Sequence, residues 1–199
     1  MDMPLDRRAE LLERIVEALL ESGAADLSLR PLAERVGTSA RLLIYHFESK
    51  DQLVAHAIDR VHDDIAASLG VRVARDQPAS LRALLTMFWE WSSEPANLRY
   101  FRLLFEIDGL TLYQRIRFSE DFRRANSAFW TDLIDRAAAR MPRSGERPAA
   151  RLTLIFCALS GLLQELLSTG DRDKTTAAVV TLIDLVAPTT SAPAQGSQP

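Results

Sequence analysis

Four side chains in GTSARLLIYHFESK, residues 37–50, have the types and spacing to meet a polyanion. Arg41 offers a forked guanidinium, Tyr45 and His46 carry donors on rigid rings, and Lys50 stands where a new helix begins. The helix dipole opposes a cation at a helix N-terminus by a few tenths of a kcal/mol up to ~1 kcal/mol, so stability alone does not select Lys50. An anion at that point is attracted by the free backbone N–H groups and by the ammonium together. The strip reads as one face turned toward phosphate.

Three helix ends must hold that strip in place. Gly37 can adopt the positive φ that closes a short helix, and Ser39 can cap the next one at once. That second helix carries Leu42 and Leu43 and ends near Phe47; Leu43 anchors it to a core. Ser49 with Gln52 three residues on forms a capping box for the helix that follows. Upstream, Ser28 offers an N-cap, Pro31 falls in a first turn where it is tolerated, and Leu32 and Val36 face inward. A first helix carries the apolar stripe Leu5, Ala9, Leu12, Ile15, Val16, Leu19 and Leu20, and Gly23 ends it. Two short helices joined by GTS, with a third to rest on, match the helix-turn-helix pattern over about 28–47. The second helix then enters a major groove by its N-terminal residues, Thr38, Ser39, Ala40 and Arg41. Arg41 is the long donor among them and the candidate for a guanine contact.

Composition sets the frame. The 199 residues are 47% hydrophobic and 26% charged, enough for one good core or for a small module joined to a larger one. The net charge of −3 is not the global signature of a nucleic-acid binder. Locally the balance reverses: residues 27–50 set Arg30, Arg35, Arg41 and Lys50 against Glu34 and Glu48, a net of +2. The single cysteine, Cys157, excludes an internal disulfide and a cysteine-rich zinc site, and reads as a packed thiol. The N-terminus mixes acidic and basic residues, unlike a signal peptide. No run of ~18 uninterrupted apolar residues occurs, so no membrane span is expected and a soluble, cytoplasmic protein is.

Beyond residue 50 the apolar period stays helical, over about 50–74, 79–93, 95–107, 111–141, 148–169 and 173–187. Breaks fall at Pro78, Pro95, Gly109, the MPRSGERP loop and Gly170-Asp171. No window alternates as a strand does. The expected fold is all-α: a DNA-binding domain over 5–50, a larger helical domain over 51–187, and a disordered Pro/Ser/Thr-rich tail over 188–199.

The segment LRPLAERVGTSARLLIYHFESKDQLVAHAI resembles the DNA-binding segment of TetR-family transcriptional regulators. Ala33, Gly37, Ser39, Leu43, His46, Phe47, Lys50 and Leu53 fall at the family's spacing. Ile44 stands where many members carry a phosphate-touching tyrosine, a role that passes in part to Tyr45. The resemblance also places Arg30 near base or phosphate. It implies a homodimeric regulator, a repressor released from operator DNA by a small apolar or amphipathic effector, with no cofactor and no bound metal.

That reading asks the larger half for a pocket and a seam. Residues 87–130 are rich in aromatics, the usual lining of a ligand cavity. Trp89, Phe101, Phe105, Tyr113, Phe122 and Phe129 are the candidates; the same residues also suit a core. Glu106 and Asp108 can orient a polar ligand group or lie on a solvated face. For the seam, Leu152, Ile155, Phe156, Leu159, Leu163 and Leu166, with Val179 and Ile183, offer two apolar helices that would pair across a two-fold axis. Burial of both helices within one chain is the alternative.

Two other classes stay open. A helical interaction module without DNA binding shares the same periodicity. An enzyme is disfavoured: the sequence holds no HExxH, phosphate-binding glycine loop or nucleophile elbow. His62 near Asp59 and Asp63 is a conceivable metal cluster, but such residues on a charged helix face are usually solvated.

Overall fold

The computed structural model describes residues 4–138 and 149–188. The MPRSGERP loop and all but the first residue of the proposed tail lie outside the described residues. Within them the chain forms α1 (Pro4–Ser22), α2 (Leu29–Arg35), α3 (Ala40–Phe47), α4 (Lys50–Asp76), α5 (Leu81–Ser92), α6 (Pro95–Leu112), α7 (Glu120–Ala138), α8 (Ala149–Thr169) and α9 (Arg172–Val186), with no strand among them.

The first three helices are set by local chemistry. Gly23 and Gly37 sit at φ +77° and +70°, where a β-carbon is unfavourable, so α1 and α2 end there. Ser39 Oγ accepts from Leu42 N, and Ser49 Oγ accepts from Gln52 N at 3.1 Å. Ser28 occupies the N-cap of α2 with extended backbone, but its side chain makes no capping bond. Leu43 and Phe47 turn fully inward from α3. They join Ile15, Leu19 and Leu53 in a hydrophobic cluster that continues without a break through Trp91 and Ile107 to Ile155 and Val179.

Two boundaries differ from the sequence reading. α6 runs through Gly109 to Leu112, so the glycine does not stop it; the turn comes at Gln114, which takes φ +54°. A mid-helix glycine costs only about 1 kcal/mol, less than the burial of Leu104 and Ile107 on the same helix returns. α7 therefore starts later, at Glu120, with Ser119 Oγ accepting from Phe122 N.

α8 also departs from expectation. By length and composition Ala150–Thr169 is long and apolar enough to cross a membrane, with mean hydropathy 1.5 over its best window. Its row of Leu152, Ile155, Leu159, Leu163 and Leu166 is buried within the chain, which is the behaviour of a core helix. Yet only 28% of the window is buried, so a second apolar face looks outward.

Candidate functional site

The helix-turn-helix presents a coherent outer strip. Arg41 is exposed, and Tyr45 is 78% exposed with its ring edge-on to His46 at 5.1 Å. Ser39 is exposed, while Thr38 and Ala40 are half-buried at the start of α3. Arg30 is paired with Glu34 one turn along α2, both heads largely in solvent. Such an exposed pair is worth well under ~1 kcal/mol and does not hold the guanidinium back from a phosphate. Ile44 is 40% exposed, so an apolar side chain stands on the outer face where a hydroxyl is common in the family it resembles.

Lys50 has a second task. Its Nζ donates to the Leu27 carbonyl at 3.1 Å, tying the start of α4 to the α1–α2 connection. The ammonium is half-buried and has further donor capacity for an anion at the same helix end. Behind the strip, Arg8 of α1 braces α3. Its Nε donates to the His46 carbonyl at 3.1 Å, another of its nitrogens lies 2.9 Å from His56 Nε2, and its guanidinium lies 5.2 Å over the Phe47 ring. Burial and the Arg8 charge both push the His56 pKa down, which keeps that imidazole able to accept from Arg8. Nothing in the sequence pattern singles out Arg8, because its partners lie 38 and 48 residues away.

The larger half holds a cavity of about 220 Å³ between α4, α6 and α7. Phe118, Phe122 and Trp130 supply aromatic wall, and His62, Asp108 and Asn126 supply polar groups. Of the aromatics proposed from sequence, Phe122 lines it, and Phe129 stacks on His62 with ring centroids 3.9 Å apart. The others lie elsewhere. Trp89 is buried with its indole N–H donating to Thr176 Oγ1 at 3.0 Å, a tie between α5 and α9. Phe101 is core, Phe105 is half-buried against it, and Tyr113 is 81% exposed.

His62 is not solvated on a charged face. It is buried, its Nε2 has no hydrogen-bond partner, and burial pushes its pKa down to about 4. Among the described residues no group of His, Cys, Asp or Glu is arranged to hold a metal ion. A sequence signal for this burial did exist: Ile58, His62, Ile65 and Leu69 follow 4-3-4 spacing, so the histidine shares the inward stripe of α4. Asp108 sits at the exposed rim, where partial desolvation pushes its carboxyl modestly upward.

Glu106, on α6 beside that cavity, does something composition does not suggest. Its two carboxylate oxygens accept from Ala24 N and Ala25 N, each at 2.7 Å. The body of the molecule thereby grips the turn that closes α1. Nearby, the Arg117 amide donates to Asp51 at 3.2 Å and Arg99 pairs with Glu17, so α6 and its following turn hold both α1 and the start of α4.

The eight residues proposed for a seam are placed inside the chain. Leu152, Ile155, Leu159, Leu163, Leu166, Val179 and Ile183 are buried, and Phe156 is partly covered with its ring stacked on Trp130. The sequence could not separate two apolar faces of one helix. The outer face instead carries Leu154, Cys157 and Gly161 on α8 and Val180 and Leu185 on α9. Cys157 is thus exposed in the single chain and not a packed thiol.

The structure thus sets a short helix-turn-helix head on a larger helical body, with a cavity between α4, α6 and α7. Residues 11–57 match the family described as bacterial regulatory proteins, tetR family. Over that segment the chain is similar to TetR-family DNA-binding transcriptional regulators. A stretch of 108 residues is 28% identical to the HTH-type transcriptional activator FasR of Mycolicibacterium smegmatis, covering 53% of this chain and 48% of that one. The chain thus spans about half the length of the curated relative it matches. Solved structures share the fold over nearly the whole chain. The multidrug binding protein EbrR complexed with ethidium superposes with TM-score 0.69 at 19% identity, covering 92% of this chain and 99% of that one. A transcriptional regulator from Rhodococcus sp. Rha1 gives 0.68 at 18%, covering 90% and 95%. SmeT, repressor of the Stenotrophomonas maltophilia efflux pump SmeDEF, gives 0.58 at 21%, covering 90% and 87%.

Proposed function

We propose that the chain works in the cytoplasm as a homodimeric repressor that a small molecule releases from its operator. The observation that carries this is the cavity between α4, α6 and α7: Ile58 and His62 of its wall belong to the helix that starts at Lys50, on the DNA-facing side. Arg41 reads base edges, and Arg30, Tyr45, His46 and Lys50 hold phosphate, with Thr38, Ser39 and Ala40 at the groove entrance. A ligand shifts such a regulator only by its differential affinity for the two positions of the head, typically 1–3 kcal/mol of coupling. EbrR, which shares the fold, has been solved with ethidium, in keeping with a ligand-responsive body.

Dimerisation follows from the outer face of α8 and α9. Leu154, Val180 and Leu185 are 60%, 51% and 76% exposed. A second copy laid across that face gives an isologous four-helix seam and sets two heads about one DNA turn apart, ~34–36 Å. The likeness to FasR favours a second reading, activation, for the same DNA-binding geometry. The test selects operator sequences from a random duplex library, then measures transcription from a promoter carrying the selected site. Repression relieved on adding a cavity ligand supports the first reading; transcription that requires the protein supports the second; no selected site at all removes both.

A further inference from the structure

We propose that the turn between α6 and α7 is a second DNA-contacting element, in which Arg115 and Arg117 of the body hold backbone phosphates beside the one met by Lys50. This goes beyond the helix-turn-helix contacts above and rests on the reading of the head as DNA-binding.

Position comes first. The Arg117 amide donates to Asp51 Oδ2 at 3.2 Å, and Asp51 follows Lys50 at the start of α4. Glu106, further back on α6, holds the Ala24 and Ala25 amides, while Lys50 Nζ donates to the Leu27 carbonyl. The turn of the body therefore rests against the same corner of the head from which Lys50 faces phosphate. On each strand of a duplex the phosphates recur about every 3.4 Å of axis. An arginine side chain that leaves the backbone beside Asp51 is long enough to meet the neighbour of the Lys50 phosphate.

The turn is also built to hold its side chains outward. The Tyr113, Gln114 and Arg115 amides donate to the Gly109, Thr111 and Leu110 carbonyls at 3.3, 2.9 and 2.9 Å. Gln114 takes φ +54°, and Ile116, 1% exposed, pins the middle of the turn into the core. Arg115 and Arg117 are exposed. Neither guanidinium has an ion-pair or hydrogen-bond partner among the described residues. Arg72, Arg99 and Arg172, also on the body, are each held by an acceptor. Residues 112–119 contain no acid and carry a net +2. The acids that follow, Glu120 and Asp121, are engaged by Arg124. A fixed backbone with free cationic donors suits phosphate, which takes such contacts whatever the base sequence. A protein partner suits the turn less well. Leu112 and Tyr113 are its exposed large apolar side chains, far short of the ~800 Å² a side that a stable interface buries.

The test measures binding of the full chain to the selected operator duplex by fluorescence anisotropy across salt concentrations, together with phosphate-ethylation interference. Arg115→Ala/Arg117→Ala should lower the slope of log affinity against log salt by about two units per bound protomer. The selected sequence should stay the same. Lys50→Ala identifies the Lys50 phosphate. Ethylation of the phosphates next to it should interfere with the wild type and not with the double variant, while ethylation of the Lys50 phosphate still interferes with both. Should the double variant melt early, Arg115→Ala alone carries the same test at about one unit. An unchanged slope overturns the proposal, and so does a lower slope with the wild-type interference pattern, which would be a general field effect. An unchanged slope with regulated transcription lost at full operator occupancy overturns it in favour of a protein partner at the turn. If Arg41→Ala weakens operator binding and the turn variants do not, this inference alone fails; if no operator can be selected, the DNA-binding reading fails and takes this one with it.

Discussion

Replacing Glu106 by alanine should loosen the head from the body, and the size of the effect can be worked from the geometry. The carboxylate accepts two backbone N–H bonds of 2.7 Å, from Ala24 and Ala25. Hydrogen bonds to a charged group contribute about 1.5–3 kcal/mol each, and the bond to Ala25 lies in a wetter setting than the one to buried Ala24, so its share is at the low end. The expected loss is about 3–4.5 kcal/mol, read as a fall of about 1 M or more in the urea midpoint at an m-value of ~2–3 kcal/mol/M. Glu106→Gln keeps one acceptor oxygen and should lose about half as much. Gly23 gives an internal check. A β-carbon there would lie 2.5 Å from Glu106 Oε2, and the residue also sits at φ +77°. Gly23→Ala should therefore cost both a clash and a backbone term, and in the Glu106→Ala background only the backbone term of about 1 kcal/mol should remain. A Glu106→Ala midpoint within ~0.2 M of wild type would refute the clamp.

Four further outcomes are expected. The His62 pKa is lower in the folded chain, about 4, than its ordinary value of 6.5, so the unfolded state binds more protons between these values. Stability should fall as pH drops from about 6.5 to 4, by about 3 kcal/mol in all from this group, and urea melts of His62→Phe should show a flatter profile over that window. Arg41→Ala should cost ~1–3 kcal/mol mainly on the selected operator. Lys50→Ala should lower the salt slope of DNA binding by about one unit in fluorescence anisotropy and also lower the melting temperature, since the Leu27 carbonyl loses its donor; an unchanged salt slope would take Lys50 off the DNA face. Leu154→Glu should give monomers in sedimentation velocity with weakened operator binding, whereas Leu159→Glu should unfold the chain because that side chain is 3% exposed.

How much of this was legible in the sequence depends on the distance over which each feature is decided. The caps at Ser39 and Ser49 and the turn at Gly37 are settled within three or four residues, so the helix-turn-helix could be read directly. The aromatic cavity could not. Trp89 finds its partner Thr176 on a helix 87 residues away, and Trp130 rather than Trp89 ends beside the open space. Tyr113 lies past the end of α6 because the helix continues through Gly109, which carries the ring out to solvent. α8 is apolar on several sides, so its period could not say which row meets its own core and which looks outward. Asp59 and Asp63 beside His62 suggest a solvated face, whereas the histidine's own register on α4 points inward.

The grip of Glu106 on the turn after α1 bears on how regulators of this build can be recombined. A head grafted by sequence boundary alone would bring its own turn to a body whose carboxylate expects two amides and no β-carbon at that place. The graft would leave a half-buried anion without its donors and would loosen the head from the body. A chimera built from this chain has to treat residues 23–25 together with Glu106, and Asp51 together with the Arg117 amide, as inseparable pairs inherited from one parent.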